Sequence, residues 1–237
     1  MNKHFTPAAG MVFSSILALA ALGINNAWAL SWGDVTNQDA AAGLKSALNS
    51  STVKAVEQLA VEGGFWNNPK VKIPLPGYLE DARGVLNALG MKKQAEELHM
   101  AINRAAETAV GDARPVFVNA IKSMTVQDAK GIISGGQDSG TQFFKGKTTD
   151  TLRAKFLPVV KKATEKVGLA QKYNELAGKG AKLGVIKGDQ ANVESFVTQK
   201  ALDGLFLMMA DEEKAIRADP IGKGTEIVKK VFGALGK

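Results

Sequence analysis

The stretch that decides the fold is Val193–Ala218, VESFVTQKALDGLFLMMADEEKAIRA. No proline interrupts it, its apolar residues recur at helical spacing, and Pro220 stops it. It predicts a long helix. Its centre, Leu205 to Ala210, is apolar all round and is expected to be buried in the middle of the fold. Asp211 to Arg217 is charged and amphipathic. Glu213 with Arg217 at i,i+4, and Lys200 with Asp203 at i,i+3, have the spacing of ion pairs on one helix face.

The same period runs through most of the chain, and alternating stretches are nearly absent. Thr36 can cap a helix with Asp39 in its first turn, followed by Leu44, Leu48, Ala55 and Leu59 and ended at Gly63-Gly64. Helices are also expected over Gly77 to Leu89, Met91 to Val110, and from Pro115 to Ser123. Thr125-Val-Gln-Asp128 is a capping-box-like start to one ending at Gly135-Gly136. Thr149 is expected to cap the next, with Leu152, Phe156, Val159, Val160, Ala163 and Val167 as its apolar stripe and a kink or split at Pro158. Leu169 to Leu183 and Thr225 to Phe232 complete the set. The exception is residues 66–76, where Asn67 to Pro76 (NNPKVKIPLP) carries three prolines that force extended backbone. There Val71, Ile73 and Leu75 alternate with lysine and proline, so one side can lie on a core. The expectation is an all-α, single-domain, multi-helix bundle with one extended Pro-rich strap, spanning 30–237.

Residues 1–29 read as a secretory signal peptide. A short polar start with Lys3 leads into an apolar run from Met11 to Ile24, and Ala27-Trp28-Ala29 offers small side chains where signal peptidase needs them. Cleavage is expected after Ala29, with the periplasm as the destination. The run is too short for a comfortable span and no stop-transfer pattern follows, so no transmembrane anchor is expected. Export makes ATP-driven cytosolic chemistry a poor reading. The chain has no cysteine, which excludes disulfides, thiolate metal sites, a cysteine nucleophile and a lipoprotein anchor.

The net charge of +7 is unevenly spread. Residues 30–120 hold 9 bases against 10 acids, whereas 121–237 hold 20 against 13. Lys145 to Lys187 alone holds 11 bases and three acids, Asp150, Glu165 and Glu175. Such a sector attracts anions over about 8 Å at physiological salt; the plainer reading is a solvated face that keeps the protein soluble. Beyond residue 29 there are only five arginines. Lysine's point charge lacks the bidentate fork of arginine, which argues against specific nucleic-acid recognition.

Few motifs carry chemistry. Ser51-Thr-Val-Lys54 matches the serine-x-x-lysine of penicillin-interacting enzymes, but the companion Ser-Asp-Asn and Lys-Thr-Gly elements are missing. Glu96-x-x-His99 has di-iron spacing in a single copy. Two histidines in all, His4 and His99, leave no basis for a zinc site or a Ser-His-Asp triad. No catalytic residue, metal or cofactor is expected. Gly135-Gly-Gln-Asp-Ser-Gly-Thr141 can present backbone amides to an anion at a helix start, although Thr141 stands where a Walker loop needs lysine. A plain turn capped by Asp138 is the simpler reading. The candidate anion face joins Gly135, Gly136, Ser139, Gly140 and Thr141 to Lys145, Lys155, Lys162 and Lys166. Polar residues inside apolar helices form a second constellation: Asn103, Arg104 and Glu107; Tyr173 and Asn174; Lys200 and Asp203. They line a cleft or make structural ion pairs.

Several of these segments carry a resemblance. VKIPLP (71–76), NRAAE (103–107), TVQDAKGIISGG (125–136), FLPVVKKATEKVGLAQKYN (156–174) and VTQKALDGLFLMMADEEKAIRADP (197–220) resemble an exported bacterial family known as domain of unknown function number 4197. The similarity covers residues 30 to 232. It implies a signal peptide and a single domain, and it brings no activity, cofactor or functional residue. Taken with the residues, the expected role is non-catalytic binding of an anionic lipid or envelope polymer, or of another protein. The alternatives are an enzyme with a carboxylate-only or metal-carboxylate site, and a chaperone-like envelope factor.

Overall fold

A computed structural model of the chain describes residues 37–182, 192–219 and 222. The expected signal peptide, the expected Thr36 cap and the helix expected over Thr225 to Phe232 lie outside the described residues. Among those residues the chain forms nine helices and no strand. They are α1 (Asn37–Leu59), α2 (Gly77–Asp81), α3 (Arg83–Ala88), α4 (Lys92–Gly111), α5 (Ala113–Ser123), α6 (Val126–Ser134), α7 (Ser139–Thr164), α8 (Gly168–Lys182) and α9 (Val193–Ala218).

Helix α9 packs against α1, α4 and α7, and α4 also packs against α7. Asn192 caps it, its side chain accepting the Ser195 amide proton at 2.7 Å. Val197, Ala201, Leu202, Leu205, Phe206 and Met209 are buried in one core with Leu44, Leu48 and Leu59 of α1 and Leu98 and Ile102 of α4. Phe117 of α5 meets Phe144 and Phe206 edge-on, with centroids 5.3 and 6.3 Å away. The Leu205–Ala210 run is not buried all round: Leu207 is 43% exposed and Met208 only partly covered. A helix flanked by three others still has one face left over, and Leu207 falls on it.

Three helix boundaries differ from the sequence expectation. Helix α1 ends at Leu59, before the turns that lead to Gly63-Gly64. Gly77 to Leu89 is two short helices, opened at Ala82 (φ −84°, ψ 4°). Tertiary packing usually holds a helix together, and here α3 buries only Leu86. Helix α7 begins at Ser139 rather than Thr149 and runs unbroken through Pro158. Gly140, Thr141, Phe144 and Thr148 are already buried there, so packing carries the helix back to the glycine-rich turn. Thr149 lies in the helix interior and donates its hydroxyl to the Lys145 carbonyl at 2.6 Å. Pro158 is exposed, so the carbonyl left without an amide partner, that of the exposed Ala154, can face water. The expected capping box of α6 is present, Thr125 and Asp128 exchanging hydrogen bonds at 2.9 and 3.0 Å.

After α1, Gly63 (φ +87°) turns the chain into the strap. Val71, Ile73 and Leu75 are buried, as the alternation predicts, and so is Phe65 ahead of them. The backbone is extended only over 72–76, because residues 62–67 and 69–71 coil in turns closed by bonds such as that from the Lys72 amide to the Asn68 carbonyl at 2.8 Å. The strap can lie against α9 because residue 204 is glycine. A Cβ there would stand 2.9 Å from Phe65 Cε1 and 3.2 Å from Val71 Cβ.

Candidate functional site

The strap is held by one edge of α4. His99, Asn103 and Glu107 are spaced four apart, so all three face it. The fully buried Asn103 accepts the Ile73 amide proton at 2.9 Å and donates back to the Ile73 carbonyl at 2.9 Å. That reproduces with one side chain the paired bonds of a sheet ladder. His99 Nε2 lies 3.0 Å from the same carbonyl and so donates to it, and its ring meets Trp66 edge-on at 4.9 Å. Burial, then the nearby charges of Lys72 and Arg83, hold the His99 pKa below its ordinary value. Glu107 accepts the Phe65 and Trp66 amide protons, both at 3.1 Å, and pairs with Arg104 at 2.7 Å. Burial pushes the Glu107 pKa up, but the Arg104 bond and the amides of Trp66, Phe65 and Gly63 outweigh it, so the pKa lies below the usual carboxylate range. Arg104 also reaches Glu62 at 2.8 Å.

The glycine-rich turn meets an internal anion. Glu213 of α9 accepts the Gly140 amide proton at 2.9 Å, and the Thr141 amide and hydroxyl protons both at 2.8 Å. Arg217 closes the group, bonding Glu213 at 2.9 Å, the Ile132 carbonyl at 3.0 Å and the Ser139 hydroxyl at 3.0 Å. Ser139 in turn donates to the Ile132 carbonyl at 2.7 Å. Gly135 and Gly136 form the exposed turn between α6 and α7. Three successive carboxylates of α9 thus tie down three elements. Asp211 takes Lys70 of the strap at 2.6 Å, Glu212 takes Lys54 and Gln58 of α1, and Glu213 takes the start of α7.

The remaining sequence candidates are dispersed. Lys145, Lys155, Lys162 and Lys166 are all exposed along α7 and just past its end, and none has an ion-pair partner among the described residues. Tyr173 is buried, while Asn174 donates to Glu194 at 2.9 Å and accepts the Val193 amide proton at 2.8 Å, joining α8 to α9. The i,i+4 pair of Glu213 and Arg217 forms. The i,i+3 pair of Lys200 and Asp203 does not: Lys200 stands over the Phe196 ring at 5.9 Å, and Asp203 accepts from Gln199 at 2.8 Å. Gln199 in turn accepts from Arg153 at 2.6 Å. Ser51 donates to the Leu48 carbonyl at 3.0 Å and Lys54 is engaged by Glu212, so neither serves the other. Glu96 pairs with Lys92 at 3.8 Å while His99 turns to the strap. Among the described residues no three of His, Asp and Glu converge as metal ligands, and no helix is long and apolar enough to cross a membrane.

Lys200 and Asp203 do share one place. With Lys70, Lys72 and Pro74 of the strap and Leu207 of α9 they line an open cleft of about 200 Å³. The sequence names Lys200 and Asp203 as cleft-lining residues but passes over Lys70, Lys72 and Leu207. The outward direction of the two lysines was legible, since they alternate with the inward Val71 and Ile73. Their meeting with α9 depends on Gly204, more than 130 residues away in the chain.

A family model described as Protein of unknown function (DUF4197) matches residues 34–233. No curated protein and no solved structure matches the chain.

Proposed function

The chain belongs to the DUF4197 family, a membership that assigns no chemistry, and from that premise we propose an exported, non-catalytic binding protein that meets an anionic envelope component, a lipid headgroup or polymer, through the lysines of α7. The observation that carries the reading is the set Lys145, Lys155, Lys162 and Lys166, exposed and without carboxylate partners among the described residues. Unneutralised point charges on one helix attract anions at long range and with little selectivity. Export rests on the three-part segment over residues 1–29. The two most buried carboxylates among the described residues, Glu107 and Glu213, are each engaged by two backbone amides and an arginine, which supports binding over a carboxylate-centred reaction.

The test is co-sedimentation with vesicles. At low salt the protein should pellet with vesicles rich in anionic lipid and stay in solution with neutral ones. Each lysine near such a surface contributes about 1 kcal/mol. The triple variant Lys155→Glu, Lys162→Glu, Lys166→Glu should therefore lose the interaction while keeping its helical circular dichroism. Wild-type protein indifferent to anionic vesicles, or a triple variant that pellets as well as wild type, leaves a solvated lysine face with no partner. N-terminal sequencing of protein recovered from the envelope should begin at Leu30.

A further inference from the structure

We propose that the cleft between the strap and α9 binds a small amphiphilic anion, one carboxylate or phosphate head carrying a short apolar tail. The site is separate from the lysines of α7 and stands whether or not they meet a surface.

Three lysines, Lys70, Lys72 and Lys200, line the cleft. Lys70 is neutralised by Asp211 at 2.6 Å, but Lys72 and Lys200 have no carboxylate partner among the described residues. Each stands over an aromatic ring instead, Lys72 over Trp66 at 3.6 Å and Lys200 over Phe196 at 5.9 Å. A ring face holds an ammonium in place without cancelling its charge. The cleft therefore presents two positioned, unneutralised cations. The carboxylate on its wall, Asp203, is turned to Gln199 at 2.8 Å. Each wall also carries an apolar residue open to solvent: Leu207, 43% exposed, seven residues after Lys200 on the same face of α9, and the exposed Pro74, two residues after Lys72 on the strap. A volume of about 200 Å³ is below the ~300–1,000 Å³ of drug-sized sites. The ligand is correspondingly small, with a head between Lys72 and Lys200 and a tail along Leu207 and Pro74.

The walls are rigid for a site half made of irregular backbone. Asn103 fixes Ile73 from behind, Glu107 fixes Phe65 and Trp66, and Gly204 lets the strap sit close on α9. Pre-organisation of this kind lowers the entropy lost on binding.

The experiment is a methyl and indole NMR titration of the purified protein with hexanoate, hexyl phosphate, hexanol and inorganic phosphate. Hexanoate or hexyl phosphate should shift the Leu207 and Val71 methyls and the Trp66 indole saturably, the last because Lys72 leaves the ring for the ligand head. Hexanol and inorganic phosphate, each lacking one half of the ligand, should bind at least about tenfold more weakly, the worth of one charge-assisted hydrogen bond. Lys200→Gln and Lys72→Gln should each weaken binding by a similar factor, and Leu207→Ser should do so without changing the charge. These are exposed positions, and circular dichroism confirms that each variant folds. The triple α7 variant should bind hexanoate like wild type, which separates this site from the vesicle interaction. The proposal is overturned if neither anion shifts these signals saturably, if hexanol matches hexanoate, or if the two lysine variants bind as tightly as wild type.

Discussion

Glu107 on α4 takes the amides of Phe65 and Trp66, and Glu213 on α9 takes those of Gly140 and Thr141. Each carboxylate is backed by an arginine on its own helix, Arg104 three residues before and Arg217 four residues after. The strap and the α7 turn are thus held by one device, but in different surroundings. Arg104 is one-third exposed and shared with Glu62, whereas Arg217 is 15% exposed and also holds Ile132 and Ser139. The strap has further anchors in Asn103, His99 and Lys70; among the described residues the start of α7 depends on the Glu213 group. The α7 amides also sit at the positive end of a 26-residue helix, where a carboxylate is favoured by the helix dipole. Redundancy protects an exposed strap, while concentration serves a buried helix start.

The sharpest way to break this comparison is Glu213→Ala. It strands two buried amides and removes the Glu213 partner of Arg217, and should cost about 3–5 kcal/mol in urea denaturation, the range for removing one partner of a buried pair. Glu107→Ala should cost less, about 1–3 kcal/mol, because Asn103 and His99 keep the strap in place and Arg104 still has Glu62 and water. A Glu107 variant less stable than the Glu213 variant would reverse the comparison. Asn103→Ala belongs in the same range, since it leaves both polar groups of Ile73 to find new partners, and amide exchange at Ile73 should report it directly.

Acid should loosen the strap in two stages. His99 and Glu107 both have folded pKa values below their ordinary ones. The folded state therefore binds fewer protons than the unfolded state, and stability falls as pH falls. The His99 contribution is complete above its unfolded pKa of about 6.5 and is lost below it; the Glu107 contribution is complete above about 4.3 and is lost as pH drops through its lower folded value. Protection of the Phe65, Trp66 and Ile73 amides, corrected for intrinsic exchange, should decline over those two windows. Protection that is flat from neutral pH to the unfolding transition would contradict the assignment. The smallest effect is expected for Lys70→Ala. Its pair with Asp211 is solvent-exposed on the lysine side and should contribute no more than about 1 kcal/mol.

Much of this architecture is legible residue by residue. The prolines between Asn67 and Pro76 announce the strap, the alternation of Val71, Ile73 and Leu75 tells which side is inward, and Thr125 with Asp128 announces the start of α6. Each signal lies within a few residues, because steric limits on φ and capping bonds act over a single turn. The errors at Thr149 and Ala82 have the opposite character. Thr149 is a good cap in isolation, but burial of Gly140, Thr141 and Phe144 extends the helix past it. The pattern over Gly77 to Leu89 is helical, but α3 buries only Leu86, too little to hold one continuous helix.

The sequence by itself determined the helical class, the strap, the Thr125–Asp128 capping box and the uneven charge, since these follow from local backbone chemistry and from counting; the cap expected of Asp138 is not made, its side chain accepting from Gln142 instead. It also showed that the turn at 135–141 can hold an anion. Only the tertiary structure decided that the anion there is Glu213, 72 to 73 residues further on. It likewise decided that Asn103 serves the strap, that Glu107 holds the strap while lining, with Arg104, Glu62 and Thr108, an open cleft of about 350 Å³, and that Lys72 and Lys200 share an opening. Partner choice among buried polar groups is governed by which groups packing brings within about 3 Å, and packing is settled by the apolar residues around them. A carboxylate in the sequence shows that a partner is needed; the fold selects which one it meets.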